Sequence, residues 1–223
     1  MNIPELSSWR DGILLKLLNV LAYALFLSSN IYATTTPGSA YRFRPRTYIS
    51  PSVWAYSVWP LIFSMITAVV CYQFTPRGKS IIIDIIDWRF SLLTVLSAIF
   101  LYVWALHYYI LTFIFALSIS LAMFHVYDSL RKSRISGDEL WVYLPFSVYH
   151  GWTTVVLVIT AFEAFGVNTG THIPGVFTKF FVFIGLFFLQ SVSALFAFSP
   201  AQGDFGGSIV ITWVLFAIYS SML

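Results

Sequence analysis

Long unbroken apolar runs, several of them long enough to cross a lipid bilayer, limit what this chain can fold into more than any other feature. A hydrocarbon core of ~30 Å is crossed by about 20 residues of α-helix, and it holds no water to satisfy backbone N–H and C=O groups. Only helices and closed barrels therefore traverse it. The runs here are continuous instead of alternating, which selects helices over barrel strands. Composition agrees, because 59% of the 223 residues are hydrophobic and only 9% are charged, against roughly 25% charged in a soluble domain. The sequence thus specifies an all-α, multi-pass integral membrane protein.

Seven spans, bounded by charge, Gly or Pro, are predicted: Ile13 to Ala33, Val53 to Phe74, Arg89 to Leu106, Tyr108 to Tyr127, Leu140 to Phe162, Val176 to Phe198 and Gly207 to Leu223. Phe90 to Tyr127 is almost unbroken, yet as one helix it would be about 57 Å long. A tight turn near His107, Tyr108 and Tyr109 divides it into two. The first span has small residues towards its end at Ser28, Ser29 and Ala33, as a cleaved signal peptide would, but Lys16, Asn19 and the apolar length up to Ile31 favour a retained helix. The longest loop, Thr34 to Ser52, contains Pro37, Gly38 and Pro45 and is too short to fold alone, so residues 1–223 are read as a single membrane domain.

On alternate sides of seven spans, Arg10, Lys16, Arg77, Lys79, Arg89, Arg131, Lys132 and Arg134 oppose Arg42, Arg44, Arg46 and Lys179. This bias predicts a cytoplasmic N-terminus and an external C-terminus by the positive-inside rule, with the Arg42, Arg44 and Arg46 cluster against it. The net charge of +3 is scattered among loops, unlike the clustered stripe that binds nucleic acid. The one cysteine, Cys71, lies within a span, which excludes an intramolecular disulfide and a thiolate metal cluster.

Two segments stand out. Ser50-Pro51 predicts a helix start, Ser as cap and Pro where no N–H is needed, and Trp54, Tyr56 and Trp59 follow. Pro60 then falls inside the predicted span, where its missing N–H predicts a kink. The aromatics fit either an interfacial belt or a ligand wall, with Trp59 more than a turn deeper than Trp54. In the fifth span Pro145, Tyr149 and Trp152 share a helix face at i, i+4, i+7, and Gly151 permits close approach of a helix or a ligand. That stripe fits helix packing as well as a pocket.

Ser50-Pro51-x-x-Trp54-x-Tyr56-Ser57-x-Trp59-x-x-Ile62-Phe63 resembles the start of the second helix in the TspO/MBR family, the tryptophan-rich sensory and translocator proteins. Pro145-Phe146-Ser147-x-Tyr149-x-Gly151-Trp152 resembles the start of that family's fifth helix, and His107-Tyr108 follows an aromatic-rich third helix. The resemblance implies a five-helix core over residues 13–163 and an additional helix pair over 176–223. It also implies an aromatic cavity near the first loop for a tetrapyrrole or sterol, with transport, sensing or scavenging as the role. Trp54, Tyr56, Trp59, Tyr149, His150 and Trp152 become the candidate ligand residues, and Pro51, Pro60, Pro145 and Gly151 the residues of helix geometry. Because the second and fifth helices start at opposite membrane levels, Trp59 and Trp152 are the pair expected to meet, with Trp54 at the outer rim. The chain departs from the family pattern at Pro60, where Gly is usual, at Thr160, where Asn is common, and at Tyr102, which replaces one of two Trp residues before His107.

Asn19, Asn30, Gln73, His125, His150 and Gln190 lie within predicted spans and each needs a polar partner. Glu163 is expected at the interface. Carboxylate pairs at Asp84 and Asp87 and at Asp138 and Glu139 leave room for a membrane enzyme acting on a lipid or isoprenoid, such as a cyclase, although no zinc-protease motif or phosphate loop is present. A structural or assembly partner without a ligand is the third reading. Expected partners are membrane lipid and a hydrophobic small molecule, with a homodimer open to it and nucleic acid excluded; no metal site is expected, and a tetrapyrrole is the one cofactor-like ligand.

Overall fold

Charge, Gly and Pro end the apolar runs, and helices fill the intervals between them. A computed structural model describes residues 10–35, 45–133, 139–166, 169, 174–198 and 204–222. Its main helices are α1 (Ile13–Thr35), α2 (Val58–Tyr72), α3 (Arg89–Ala105), α4 (Tyr109–Lys132), α5 (Leu144–Phe165), α6 (Val176–Ala197) and α7 (Phe205–Met222). A 3₁₀ turn, Val53–Ser57, leads into α2, and π-helical segments at Lys79–Ile86 and Glu139–Tyr143 precede α3 and α5. Among the described residues, six helical segments are long and apolar enough to cross a membrane, counting α2 together with its 3₁₀ turn. The 17-residue α3 is shorter, at about 25 Å. The turn after α3 falls where the sequence predicts it, and His107 makes it with φ 62°, supported by a 3.0 Å hydrogen bond between its Nδ1 and the Tyr109 hydroxyl.

Helices α1 to α5 close a ring in the order α1, α2, α5, α4, α3, while α7 packs on α5 and α6 packs on α7. Helix α5 is the central stave and the most buried of the long apolar helices, whereas α6 is the least buried. At the end where α1 begins, here called proximal, Asn19 Nδ2 donates to Gln73 Oε1 at 3.0 Å and Ser91 Oγ donates to Asn19 Oδ1 at 2.6 Å. Three helices thereby answer two of the buried amides. Arg89 of α3 reaches Ser129 of α4 at the same level. Ile81, Ile82, Ile83 and Ile86 are buried there and pack against α3 and α4, closing the proximal end of the ring. At the distal end Trp104 Nε1 donates to Glu163 Oε2 at 2.9 Å, and Phe113 of α4 meets Phe165 of α5. Glu163, expected at the interface, is instead buried, because the indole N–H gives its carboxylate a partner inside.

These contacts alternate strictly in level, so the start of α1 and the end of α7 lie at opposite ends of the bundle. Arg10, Arg77, Lys79, Arg89, Arg131 and Lys132 belong to the proximal end, as does Lys16, which is fully buried in α1. Arg46 and Lys179 belong to the distal end; Arg42, Arg44, Arg134 and the loop residues Pro37 and Gly38 lie outside the described residues. Reporter fusions are expected to place the N-terminus in the cytoplasm and the C-terminus outside. Both termini on one side would be incompatible with this alternation.

Candidate aromatic ligand site

The site begins at the entrance to α2. Ser50 does not cap that helix as the sequence predicts; its hydroxyl accepts from Thr47 N–H at 2.9 Å, and the chain stays non-helical until Val53. Ser52 takes the N-cap position without a side-chain cap bond. Its own N–H donates to Ala217 O of α7 at 3.0 Å, and its hydroxyl lies 2.9 Å from that of Ser220. Packing on α7 therefore outweighs local capping. Pro51 is buried beside this junction, whereas Pro60 is exposed. The 3₁₀ turn gives way to α-helix at Val58, which puts Pro60 in the first α-helical turn, where an N–H has no intrahelical acceptor to lose.

Behind that junction lies an aromatic cage. Trp59 stacks on Phe63 at a centroid distance of 5.2 Å and meets Trp152 edge-on at 5.4 Å. Tyr56 meets Trp152 at 5.8 Å, and Phe26 of α1 approaches Trp59, Phe63 and Tyr149 within 6.2 Å. Rings at such separations are worth about 0.5–1.5 kcal/mol per pair beyond their burial. Trp59 and Trp152 meet as the depth argument predicts, since both lie more than a turn inside their spans.

Two spaces adjoin the cage. A void of about 20 Å³ is lined by residues of all five ring helices, among them Phe26, Trp59, Ser97, Ile119, Tyr149 and Trp152. A groove of about 410 Å³ runs between α1 and the start of α2, with Asn30, Tyr56, Ser57, Trp59, Pro60 and Phe63 among its walls. It opens outward past Ile31, Val53 and Pro60, all exposed. Trp59 borders both spaces and is the partition between them.

The remaining candidates diverge. Trp54 turns to α7 and packs edge-on against Trp213 at 4.8 Å, a position outside the cage. His150 points the other way round α5, with its ring 4.9 Å from Tyr127 and 5.3 Å from Phe196. Pro145 is in the first turn of α5, where Pro starts a helix without loss. A Cβ on Gly151 would stand 2.7 Å from Gly207 O and 2.8 Å from Gly207 Cα, so its missing side chain admits helix α7. Of the carboxylate pairs, Asp84 forms an ion pair with Lys79 at 3.0 Å; Asp138 lies outside the described residues.

Sequence reasoning missed a second polar centre. Asp204, buried just before α7, accepts from the Tyr127 hydroxyl at 2.5 Å, from the Ser147 hydroxyl, and from Gly206 N–H at 3.1 Å. Tyr143 completes the cluster at 2.7 Å from Tyr127 Oη. The only sequence signal was an acidic residue ahead of Gly206-Gly207 at a helix start, which is equally the mark of an exposed cap. Ser97 and Phe26 of the cage were missed as ordinary span residues.

A closed ring of five helices around an aromatic interior, with a side groove and two further helices on its flank, defines a multi-pass helical membrane protein. A family model for TSPO-like protein matches residues 16–222, and the chain belongs to that family. The matched stretch includes α6 and α7 together with the five-helix ring. No curated protein and no solved structure matches the chain.

Proposed function

We propose that this TSPO-like membrane protein binds a hydrophobic or amphipathic small molecule of the tetrapyrrole or sterol class in the groove between α1 and α2, in the service of transport, sensing or scavenging. The observation that carries this reading is the groove itself. Its volume of about 410 Å³ falls within the roughly 300–1,000 Å³ of small-molecule sites, and its walls are apolar and aromatic with a few polar groups, Asn30 and Ser57 among them. Its open side gives a membrane-dissolved ligand sideways access. The isoleucines at the proximal end support retention of the ligand within the bundle over passage along its axis.

Trp59 is a wall of the groove, and Trp152 backs it. Trp59→Leu and Trp152→Leu are each expected to weaken protoporphyrin IX or sterol binding by about 1 to 3 kcal/mol. The measurement is a fluorescence-quenching titration in detergent, with size-exclusion chromatography showing that the variants stay folded. Unchanged affinity in both would reject the site.

A further inference from the structure

Helix α6 turns a polar side chain outward at a depth where lipid cannot answer it. Its 22 residues make a rod about 33 Å long, enough to cross the ~30 Å hydrocarbon core. Gln190 precedes Ala197, the last residue of the helix, by seven positions. That puts it about 10 Å inside the proximal end and about 5 Å from the middle of the helix. The side chain is exposed, and among the described residues its amide has no hydrogen-bond partner. It is too short to carry the amide across 10 Å to the headgroups, and an amide left unanswered in hydrocarbon is costly.

Amides elsewhere in the spans are answered within the chain: Asn19 bonds Gln73, and Asn30 Nδ2 donates to Phe26 O at 3.2 Å. Gln190 instead belongs to an outward seam. Phe180, Phe183, Phe187, Gln190, Ala194 and Ala197 recur at alternating steps of three and four residues, the spacing of helices that pack along one another. The three phenylalanines are each more than half exposed, and both alanines are partly so. The buried residues of α6, Gly185, Leu189, Ser193 and Phe196, lie on the other side of the helix. Small residues beside Gln190 let a second helix come close at the depth of the amide.

We propose that this seam is the interface between two copies of the chain, in which the two Gln190 amides bond each other. Copies in one membrane share an orientation, so a two-fold axis along the membrane normal sets each residue of the seam against itself at one depth. An amide both donates and accepts, and the facing pair therefore makes two reciprocal bonds. A partner of another sequence would need its own polar group at the same depth, whereas a second copy already has it. One polar residue in an otherwise apolar seam also fixes the register of the pair. The interface stands on α6 alone and is independent of the ligand-binding reading.

The test uses the full chain in lipid vesicles, with energy transfer between donor- and acceptor-labelled copies followed as the protein is diluted in lipid. Transfer above random proximity is expected, falling on dilution as a monomer–dimer equilibrium does. Gln190→Leu is expected to weaken association about 10-fold, and Gln190→Asn, which keeps an amide, to lose less. Both changes fall on an exposed side chain without internal bonds, so the fold is retained. A second measurement leaves Gln190 intact: with the exposed Cys71 replaced by serine, oxidation is expected to crosslink Ala194→Cys, on the seam. Phe181→Cys, exposed but about a third of a turn away, is expected to stay uncrosslinked. A chain that shows no transfer at any dilution would overturn the interface, as would crosslinking at Phe181 in preference to Ala194. A Gln190→Leu dimer as tight as the parent would overturn the pairing of the amides. Crosslinking of Ala194→Cys in native membranes to a different protein alone would overturn the second copy as occupant.

Discussion

Asp204→Ala is expected to destabilise the folded chain by about 3 kcal/mol, at roughly 1 kcal/mol for each donor left without its acceptor. The three donors come from separate elements: the Tyr127 hydroxyl from α4, the Ser147 hydroxyl from α5 and Gly206 N–H from α7 itself. Asp204 N–H also donates to Phe196 O at 2.8 Å, which ties the end of α6 into the same knot. The carboxylate therefore fastens three helices at the proximal end, and the backbone of the same residue joins α6 to them. Asp204→Asn keeps the shape but presents an amide N–H₂ to groups that are themselves donors, so an intermediate loss is expected. Denaturant unfolding in mixed micelles measures both, and the double variant with Tyr127→Phe should lose less than the sum of the singles, because the two side chains share a bond. Full stability of Asp204→Ala would mean that α7 is held by packing alone.

Gly151→Leu is expected to separate α7 from α5. Any Cβ at this position meets the backbone of Gly207, both its O and its Cα, and neither can rotate away as a side chain would. On the other helix, a Cβ on Gly206 would stand 2.8 Å from Ser147 Oγ of α5, so the contact is tight from both sides, and one on Gly207 would stand 2.9 Å from the Phe196 ring of α6. Gly151→Ala should cost about 1–3 kcal/mol as an overpacked interface; the leucine variant goes further and should release the α6–α7 pair. Limited proteolysis between Phe165 and Val176 reads that release, and thermal unfolding followed by size-exclusion chromatography reads the stability. A Gly151→Leu protein that resists protease and melts like the parent would show that the helices can part without loss.

Release of α7 should also reach the groove. The far end of α7 bonds the segment ahead of α2, through Ser52 to Ala217 and Ser220 and through Ser221 Oγ to Ser50 O at 2.8 Å. That segment leads into Val53, Tyr56 and Ser57, which line the groove. Loosening α7 at Gly151 is therefore expected to disturb the groove mouth without touching a groove residue.

The sequence by itself determined the class, the number of helices and most of their limits, for a physical reason. Hydrocarbon leaves the backbone one local solution, so a continuous apolar run of the right length is a helix whatever lies beside it. The same locality made the turn at His107 legible, and the pairing of Trp59 with Trp152 followed from depth along two antiparallel helices. Facing is not local. In lipid a helix gains little from turning one apolar face inward over another, so composition does not say which side of α5 looks into the ring. The tertiary structure decided that Tyr149 and Trp152 face the cage, that His150, next in sequence to Tyr149, faces Tyr127 and Phe196, and that Trp54 leaves the site for Trp213. It also decided that Asp204, an ordinary acid at a helix start in the sequence, is buried, because three donors from α4, α5 and α7 converge on one point only once the ring has closed.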